Sequence, residues 1–324
     1  MELFVNLGWL LLGLVLLSVG ADWLVRGASE IALRAGVTPL VIGLTVVAFG
    51  TSAPELLVSL QANLDPNTQA DIAVGNVVGS NICNIALLLG LAALIRPLLV
   101  GSQVVKREIP ILLGVTGVFV AMIWDGNLAR WEGVLLTVGI IVYVVTSVLH
   151  ARRHPGEVLA DIPDEVKKEA RGPVWKSLLW VVIGLAGLVY GADRLVFGGV
   201  SIAEKMGVPQ VVIGLTLVAI GTSLPELATT IAAARRNETD IIAGNIIGSN
   251  LFNIMAVMGI ASAIKPITVA TLNRLDLWVM AGFTLVLVPF LARGAKINRL
   301  EGGLLVTGYL VYCVWLVKPE WFGA

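Results

Sequence analysis

Residues 39–55 and 210–226 are identical at 12 of 17 positions. The match extends well beyond that block. Gly20-Ala21-Asp22 returns as Gly191-Ala192-Asp193 at the same offset of 171. Gly75-Asn76-Val77-Val78-Gly79-Ser80-Asn81 returns as Gly244-Asn245-Ile246-Ile247-Gly248-Ser249-Asn250, and Ile95-Arg96-Pro97 as Ile264-Lys265-Pro266, both at 169. The two residues lost between the blocks fall near Asp65-Pro66-Asn67-Thr68-Gln69, which reads as a turn. A chain duplicated in this way must build two similar units from its two halves.

Composition says where those units sit. Of 324 residues 57% are apolar and only 14% are charged, against about 25% charged in a soluble domain. Apolar runs recur at lengths near the roughly 20 residues that span a bilayer, and they lack the alternation of a β-barrel. The expectation is an all-α polytopic membrane protein, because only helices or closed barrels satisfy their backbone in lipid. A formal net charge of zero gives no argument for nucleic acid. Cys83 and Cys313 both lie in apolar segments and read as packing residues. Met1-Glu2-Leu3 lacks a basic leader and reads as the start of the first span.

About ten transmembrane helices are expected, over roughly 4–30, 37–63, 70–94, 104–124, 131–150, 174–201, 208–234, 239–263, 274–292 and 300–318. The chain divides into a first five-helix repeat (1–150), a polar connector (151–173) with one short surface helix, and a second five-helix repeat (174–324). Five is odd, so the second repeat enters the membrane from the opposite side, which makes the repeats inverted. Fifteen of the 22 basic residues fall on the connector's side, among them Arg96, Lys106, Arg107, Arg152, Arg153, Arg235, Arg293 and Arg299. Five fall on the other side, and Arg26 and Arg194 lie within spans. The positive-inside rule makes the connector cytoplasmic and puts both termini outside a multi-pass protein of the cell membrane.

Two short runs carry the chemistry: Gly50-Thr51-Ser52-Ala53-Pro54-Glu55 and Gly221-Thr222-Ser223-Leu224-Pro225-Glu226. An acid in hydrocarbon costs about 2.5–3.5 kcal/mol on insertion scales, which marks it as functional by default. In a helix, Ala48, Thr51, Ser52 and Glu55 share one face, as do Ala219, Thr222, Ser223 and Glu226. Pro54 and Pro225 cannot donate to the carbonyls of Gly50 and Gly221, so each helix should break there and free backbone oxygens. Asn76, Ser80 and Asn84 follow a four-residue spacing on a second face, matched by Asn245, Ser249 and Asn253. Oxygen-only ligands suit hard cations such as Ca²⁺ or Na⁺. Asp22 with Arg26 four residues on, and Asp193, read as structural ion-pair residues. His150 and His154 read as solvated.

The paired runs GTSAPE…GNVVGSNICN and GTSLPE…GNIIGSNLFN resemble the two α-repeats of the cation/calcium antiporter superfamily, of the sodium/calcium exchanger type, over essentially the whole chain. The resemblance implies a metal site at mid-membrane between the second, third, seventh and eighth helices. Glu55 and Glu226 would be the central ligands. Thr51, Ser52, Thr222 and Ser223 would supply hydroxyl or carbonyl oxygen, Ala48 and Ala219 backbone carbonyls, and Ser80, Ser249, Asn84 and Asn253 side-chain oxygens. Some relatives carry an aspartate where this chain has Asn253. The function implied is secondary antiport of Ca²⁺ against Na⁺ by alternating access. H⁺ as coupling ion is the alternative, and a cation channel a further one. No cofactor is expected beyond the transported ions, and the lipid bilayer is the expected partner. Catalysis is not expected, since the H-E-x-x-H and G-x-S-x-G patterns are missing and neither histidine lies near the acids.

Overall fold

A computed structural model describes residues 2–64, 70–153, 173–206, 219–269 and 274–317. The first half contributes α1 (Glu2–Ala35), α2 (Pro39–Thr51), α3 (Ala53–Leu64), α4 (Asp71–Ile95), α5 (Val104–Asp125) and α6 (Arg130–Arg153). The second contributes α7 (Val174–Lys205), α8 (Ala219–Gly221), α9 (Leu224–Arg235), α10 (Thr239–Ile264), α11 (Arg274–Ala292) and α12 (Arg299–Val317). Four two-residue strands interrupt them: β1 (Leu98–Leu99), β2 (Asn127–Leu128), β3 (Ile267–Thr268) and β4 (Lys296–Ile297). The connector's charged run 164–169, its expected surface helix and His154 lie outside the described residues, as do the 65–69 turn and the first part of the span expected over 208–234.

Seven described helices (α1, α4, α5, α6, α7, α10 and α11) are long and apolar enough to cross a bilayer, and α2 with α3 makes an eighth as one bent span. Helix α12 spans 19 residues but opens on Arg299 and Glu301, which lower its hydropathy. The chain is therefore an all-helical multi-pass membrane protein. Its helices are not equivalent. The apolar stretch of α10 is wholly buried and that of α4 is 72% buried, against 28% for α1, α6, α7 and α11. Helices α4 and α10 therefore form the centre. The outer helices turn Leu11, Val15, Val138, Ile141, Val182 and Leu285 outward, where the surrounding lipid is as apolar as they are.

Helices α1 and α7 lie side by side and run antiparallel. A Cβ on Gly13 would meet Gly191 O at 2.7 Å, one on Gly20 would meet Gly184 O at 2.8 Å, and one on Gly27 would meet Ser177 O at 2.7 Å. Glycine on both sides lets the backbones approach this closely, and in lipid such packing replaces a hydrophobic driving force. The strands repeat the pattern of exchange. Strand β1 pairs antiparallel with β4, and β2 with β3. Shifting each strand by the sequence offset of 169 turns one pair into the other.

Polar contacts tie the ends. Asn63 Nδ2 donates to Ala261 O at 2.9 Å and Lys265 O at 2.7 Å, while Lys265 Nζ donates back to Asn63 O at 2.7 Å. Each helix end thereby caps the last carbonyls of the other. At the far end of α1, the buried Glu30 accepts from Arg26 at 3.2 Å and from Ser177, and lies 3.5 Å from Arg34. The expected Asp22–Arg26 pair is not formed. Asp22 instead takes a two-pronged bond from Arg236, at 2.7 and 2.6 Å, because a guanidinium arriving from α9 offers both donors to one carboxylate. Arg26 is left to Glu30.

The glycine contacts give a test. Gly20→Leu should lower the thermal unfolding midpoint of the detergent-solubilised protein, at an overpacking cost of about 1–3 kcal/mol. Gly187→Ala, whose added carbon would sit 3.5 Å from Gly20 Cα, should leave the midpoint nearly unchanged. Equal midpoints for both variants would remove the close-packing argument.

Candidate functional site

Both acidic runs lie at a helix break, as their prolines require. In the first, α2 contains a π-helical turn at Gly43–Val47 and ends at Thr51. Ser52 leaves helical geometry (φ −84°, ψ 6°), and α3 resumes at 44° to α2. In the second, Ser223 takes the same conformation (φ −87°, ψ 4°) between α8 and α9. Main-chain bonds still bridge the breaks: Ser52 N donates to Ala48 O at 3.0 Å and Ser223 N to Ile220 O at 3.1 Å, while Leu56 N and Leu227 N donate to Ser52 O and Ser223 O at 3.2 and 3.0 Å. Broken backbone at membrane depth is tolerated where protein encloses it. Thr51, Ser52, Glu55, Ser223 and Glu226 are all at most 3% exposed.

The two runs are joined crosswise. Ser52 Oγ donates to Glu226 Oε1 at 3.1 Å, and Ser223 Oγ donates to Glu55 Oε1 at 3.4 Å. Each carboxylate is thus held by the serine of the other run. Helix α4 adds Ser80, whose Oγ donates to Glu55 Oε1 at 3.4 Å and lies 3.3 Å from Ser223 Oγ. No Lys or Arg side chain is bonded to either acid among the described residues. The opposite oxygens, Glu55 Oε2 and Glu226 Oε2, have no hydrogen-bond partner there, and neither do Asn84 Oδ1, Ser249 Oγ and Asn253 Oδ1. An unsatisfied buried polar group costs about 1–3 kcal/mol. Five such oxygens on the very residues singled out by the sequence are acceptors suited to a hard cation.

The remaining expected residues are placed as follows. Thr51 Oγ1 donates to Val47 O at 3.1 Å and contacts Asn245 Oδ1 at 3.2 Å, and the half-buried Thr222 donates to Asn76 Oδ1 at 3.4 Å. Ala48 is buried, and its carbonyl already accepts from Ser52 N. Ala219 begins the described part of α8. Asn84 and Asn253 sit in π-helical turns, Cys83–Leu89 and Phe252–Met258, in otherwise α-helical α4 and α10. Such turns cluster at functional sites.

In sequence Asn76 and Asn245 share the helical face of Ser80 and Ser249, where interhelical hydrogen bonding is as good a reading as ligation. The structure makes them partners of the two threonines. Asn76 also donates to Glu55 O at 3.2 Å and Ser59 Oγ at 3.0 Å, tying α4 to the break. The signal was their position four residues before Ser80 and Ser249.

The chain is similar to known proteins along nearly its whole length. The family model described as sodium/calcium exchanger protein matches residues 5–149 and 176–318. The chain is 38% identical over 321 residues to the inner membrane protein YrbG of Escherichia coli, covering 96% of each. It is 35% identical over 344 residues to the sodium/calcium exchanger MaX1 of Methanosarcina acetivorans, covering 96% of this chain and 98% of the relative. A solved structure of the sodium-calcium exchanger NCX_Mj, soaked with zero Na⁺ and Ca²⁺, superposes with a TM-score of 0.83 at 35% identity, covering 97% of this chain and 99% of that one.

Binding to the oxygen cage should appear as stabilisation. Ca²⁺ at 100 times its dissociation constant should add about 2.7 kcal/mol, read as a rise in the unfolding midpoint. Ser223→Ala removes the hydroxyl between Glu55 and Ser80 and should shrink that rise. A full-sized rise in this variant would take Ser223 out of the cage.

Proposed function

The chain belongs to the sodium/calcium exchanger protein family, and from that membership we propose that it is a secondary antiporter moving Ca²⁺ against Na⁺ across the cell membrane by alternating access. The observation that carries this reading is the crossed arrangement of Ser52 on Glu226 and Ser223 on Glu55. One half of the chain alone holds half a cage.

The cage is formed by Glu55 and Glu226 with Thr51, Ser52, Thr222, Ser223, Ser80, Ser249, Asn84 and Asn253, and with the carbonyls of Ala48 and Ala219. Its charge sets the transport rule. With both glutamates ionised the empty cage carries about −2, and enclosing that charge away from water is costly. One Ca²⁺ neutralises it, as do two Na⁺. The loaded carrier crosses and the empty one is held back, so exchange is obligatory.

The scaffold is read as two inverted five-helix repeats, 1–150 and 174–324. Two observations support the inversion. Helices α1 and α7, which correspond in sequence, pack antiparallel. Strand β1, after the third span of one half, pairs with β4, after the fourth span of the other, and β3 pairs with β2 in the same sense. Repeats pointing the same way would put those partners on opposite faces of the membrane. The excess of Lys and Arg on the connector's side supports a cytoplasmic 151–173 and outward termini.

A second reading, Ca²⁺/H⁺ exchange, draws on the cage having only two acids, with the amides Asn84 and Asn253 where further carboxylates would add charge. Two protons neutralise two glutamates as well as one Ca²⁺ does. One assay separates the readings. Proteoliposomes loaded with Na⁺ should take up radiolabelled Ca²⁺ down an outward Na⁺ gradient, and uptake that follows a pH gradient and ignores Na⁺ would select proton coupling. Uptake with no counter-ion would point to a channel. Glu55→Gln and Glu226→Gln should each reduce exchange at least a hundredfold, since each removes a ligand charge from a dry site; full activity in either would sink the site.

A further inference from the structure

We propose that Asn81 is a positioning residue of the cage: it fixes the Asn253 amide so that its carbonyl oxygen, not its NH₂ group, is presented to the cation. The proposal rests on the cage described above.

Asn81 and Asn253 are 1% and 0% exposed, so neither side chain can be satisfied by bulk water. Asn253 Nδ2 donates to Asn81 Oδ1 at 3.1 Å. An amide has its donor and acceptor on opposite arms. Committing the NH₂ of Asn253 to Asn81 therefore leaves the other arm, Oδ1, as the group it offers elsewhere, and that atom has no hydrogen-bond partner among the described residues.

Asn81 has its own orientation imposed. Its Nδ2 donates to the backbone carbonyl of Asn250 at 3.4 Å and lies 3.8 Å from Met280 Sδ. A carbonyl accepts and cannot donate. The chain of donors therefore runs one way, from Asn253 to Asn81 to the α10 backbone, and a turn of either amide would set NH₂ against NH₂ or oxygen against oxygen. The fixed end is main chain, so the polarity of the relay is set by the fold.

The corresponding residue in the other half behaves differently. Asn250 Nδ2 donates to Ile246 O of its own helix at 2.6 Å, and Asn250 Oδ1 has no partner among the described residues. Asn84 thus has no equivalent of the relay through Asn250 Oδ1. The two asparagine ligands differ: Asn253 is held with its oxygen outward, and that asymmetry comes from Asn81.

A plain structural role, joining α4 to α10, predicts that replacing Asn81 costs the same whatever stands at 253. The proposal predicts coupling. In Ca²⁺ binding by the purified protein, with uptake in proteoliposomes alongside, Asn81→Leu should weaken the wild-type affinity about three- to tenfold, the range of one neutral hydrogen bond. In an Asn253→Ala background it should change affinity less than twofold. Asn81→Ala serves where the leucine variant fails to fold. An equal loss in both backgrounds, or none in the wild type, overturns the proposal. Glu55→Gln in the same series keeps the cage itself under test: a dead Glu55→Gln with additive Asn81 effects removes Asn81 alone, and full exchange by Glu55→Gln removes the cage reading.

Discussion

Two carboxylates buried in protein without a basic partner among the described residues set the terms for the rest of the molecule. The chain buries other acids and treats each differently. Glu30 sits between Arg26, Arg34 and Ser177. Glu108 takes bonds from Tyr143 at 2.8 Å and Gln103 at 3.1 Å with Arg107 at 3.7 Å. Glu301 accepts from Asn298 N at 2.8 Å while Asn298 Oδ1 accepts from Glu301 N at 3.0 Å, a reciprocal cap at the start of α12. These are structural solutions to burial. Among the described residues, the side-chain bonds to Glu55 and Glu226 come from hydroxyls, each on one oxygen. Hydroxyls can turn and give way, whereas a guanidinium would satisfy the charge permanently and leave no place for a mobile cation.

Holding such acids together is the task of the duplicated scaffold. The proline breaks bring Ser52 and Ser223 out of their helices just where each reaches the acid of the other run. The buried helices α4 and α10 then close the sides with Ser80, Ser249 and the asparagines. Close approach is what makes the crossing possible. A Cβ on Gly244 would lie 2.9 Å from Gly43 Cα, and one on Gly248 would lie 2.9 Å from Leu44 Cα. Glycine at α10 positions 244 and 248 thus lets the wall of the cage lie directly against α2.

The sequence made the acids, their prolines and the hydroxyls beside them legible, because burial cost and backbone chemistry act within a few residues. The duplication carried the scaffold for the same reason: it needs only the chain to be compared with itself. What stayed hidden depends on approach between distant segments. Asp22 has Arg26 one turn away, yet Arg236 wins it by offering two parallel bonds. Asn81 and Asn84 look alike in sequence. Only the position of the Asn250 carbonyl distinguishes a positioning amide from an offered one. The π-helical turns at Cys83–Leu89 and Phe252–Met258 carry no local marker such as proline, since they arise where packing displaces one residue from the regular ladder.

The duplication is closest at the cage and weakest at the ends. Asn63 caps α10, and Lys265 caps α3 in return, so the two helices bearing Glu55 and Asn253 are bonded together at that end. The residue that corresponds to Asn63 in the second half is Ala234, which has no side chain able to cap, and the counterpart of Lys265 is the exposed Arg96. That end of α9 is tied instead through Arg236 to Asp22 on α1. A carrier built from equal halves would have no reason to differ between its two faces. Here the residues of the proposed cage repeat residue for residue while the clasps do not. The repetition is therefore closest at the proposed cage, and the two halves differ in the hydrogen bonds at their helix ends.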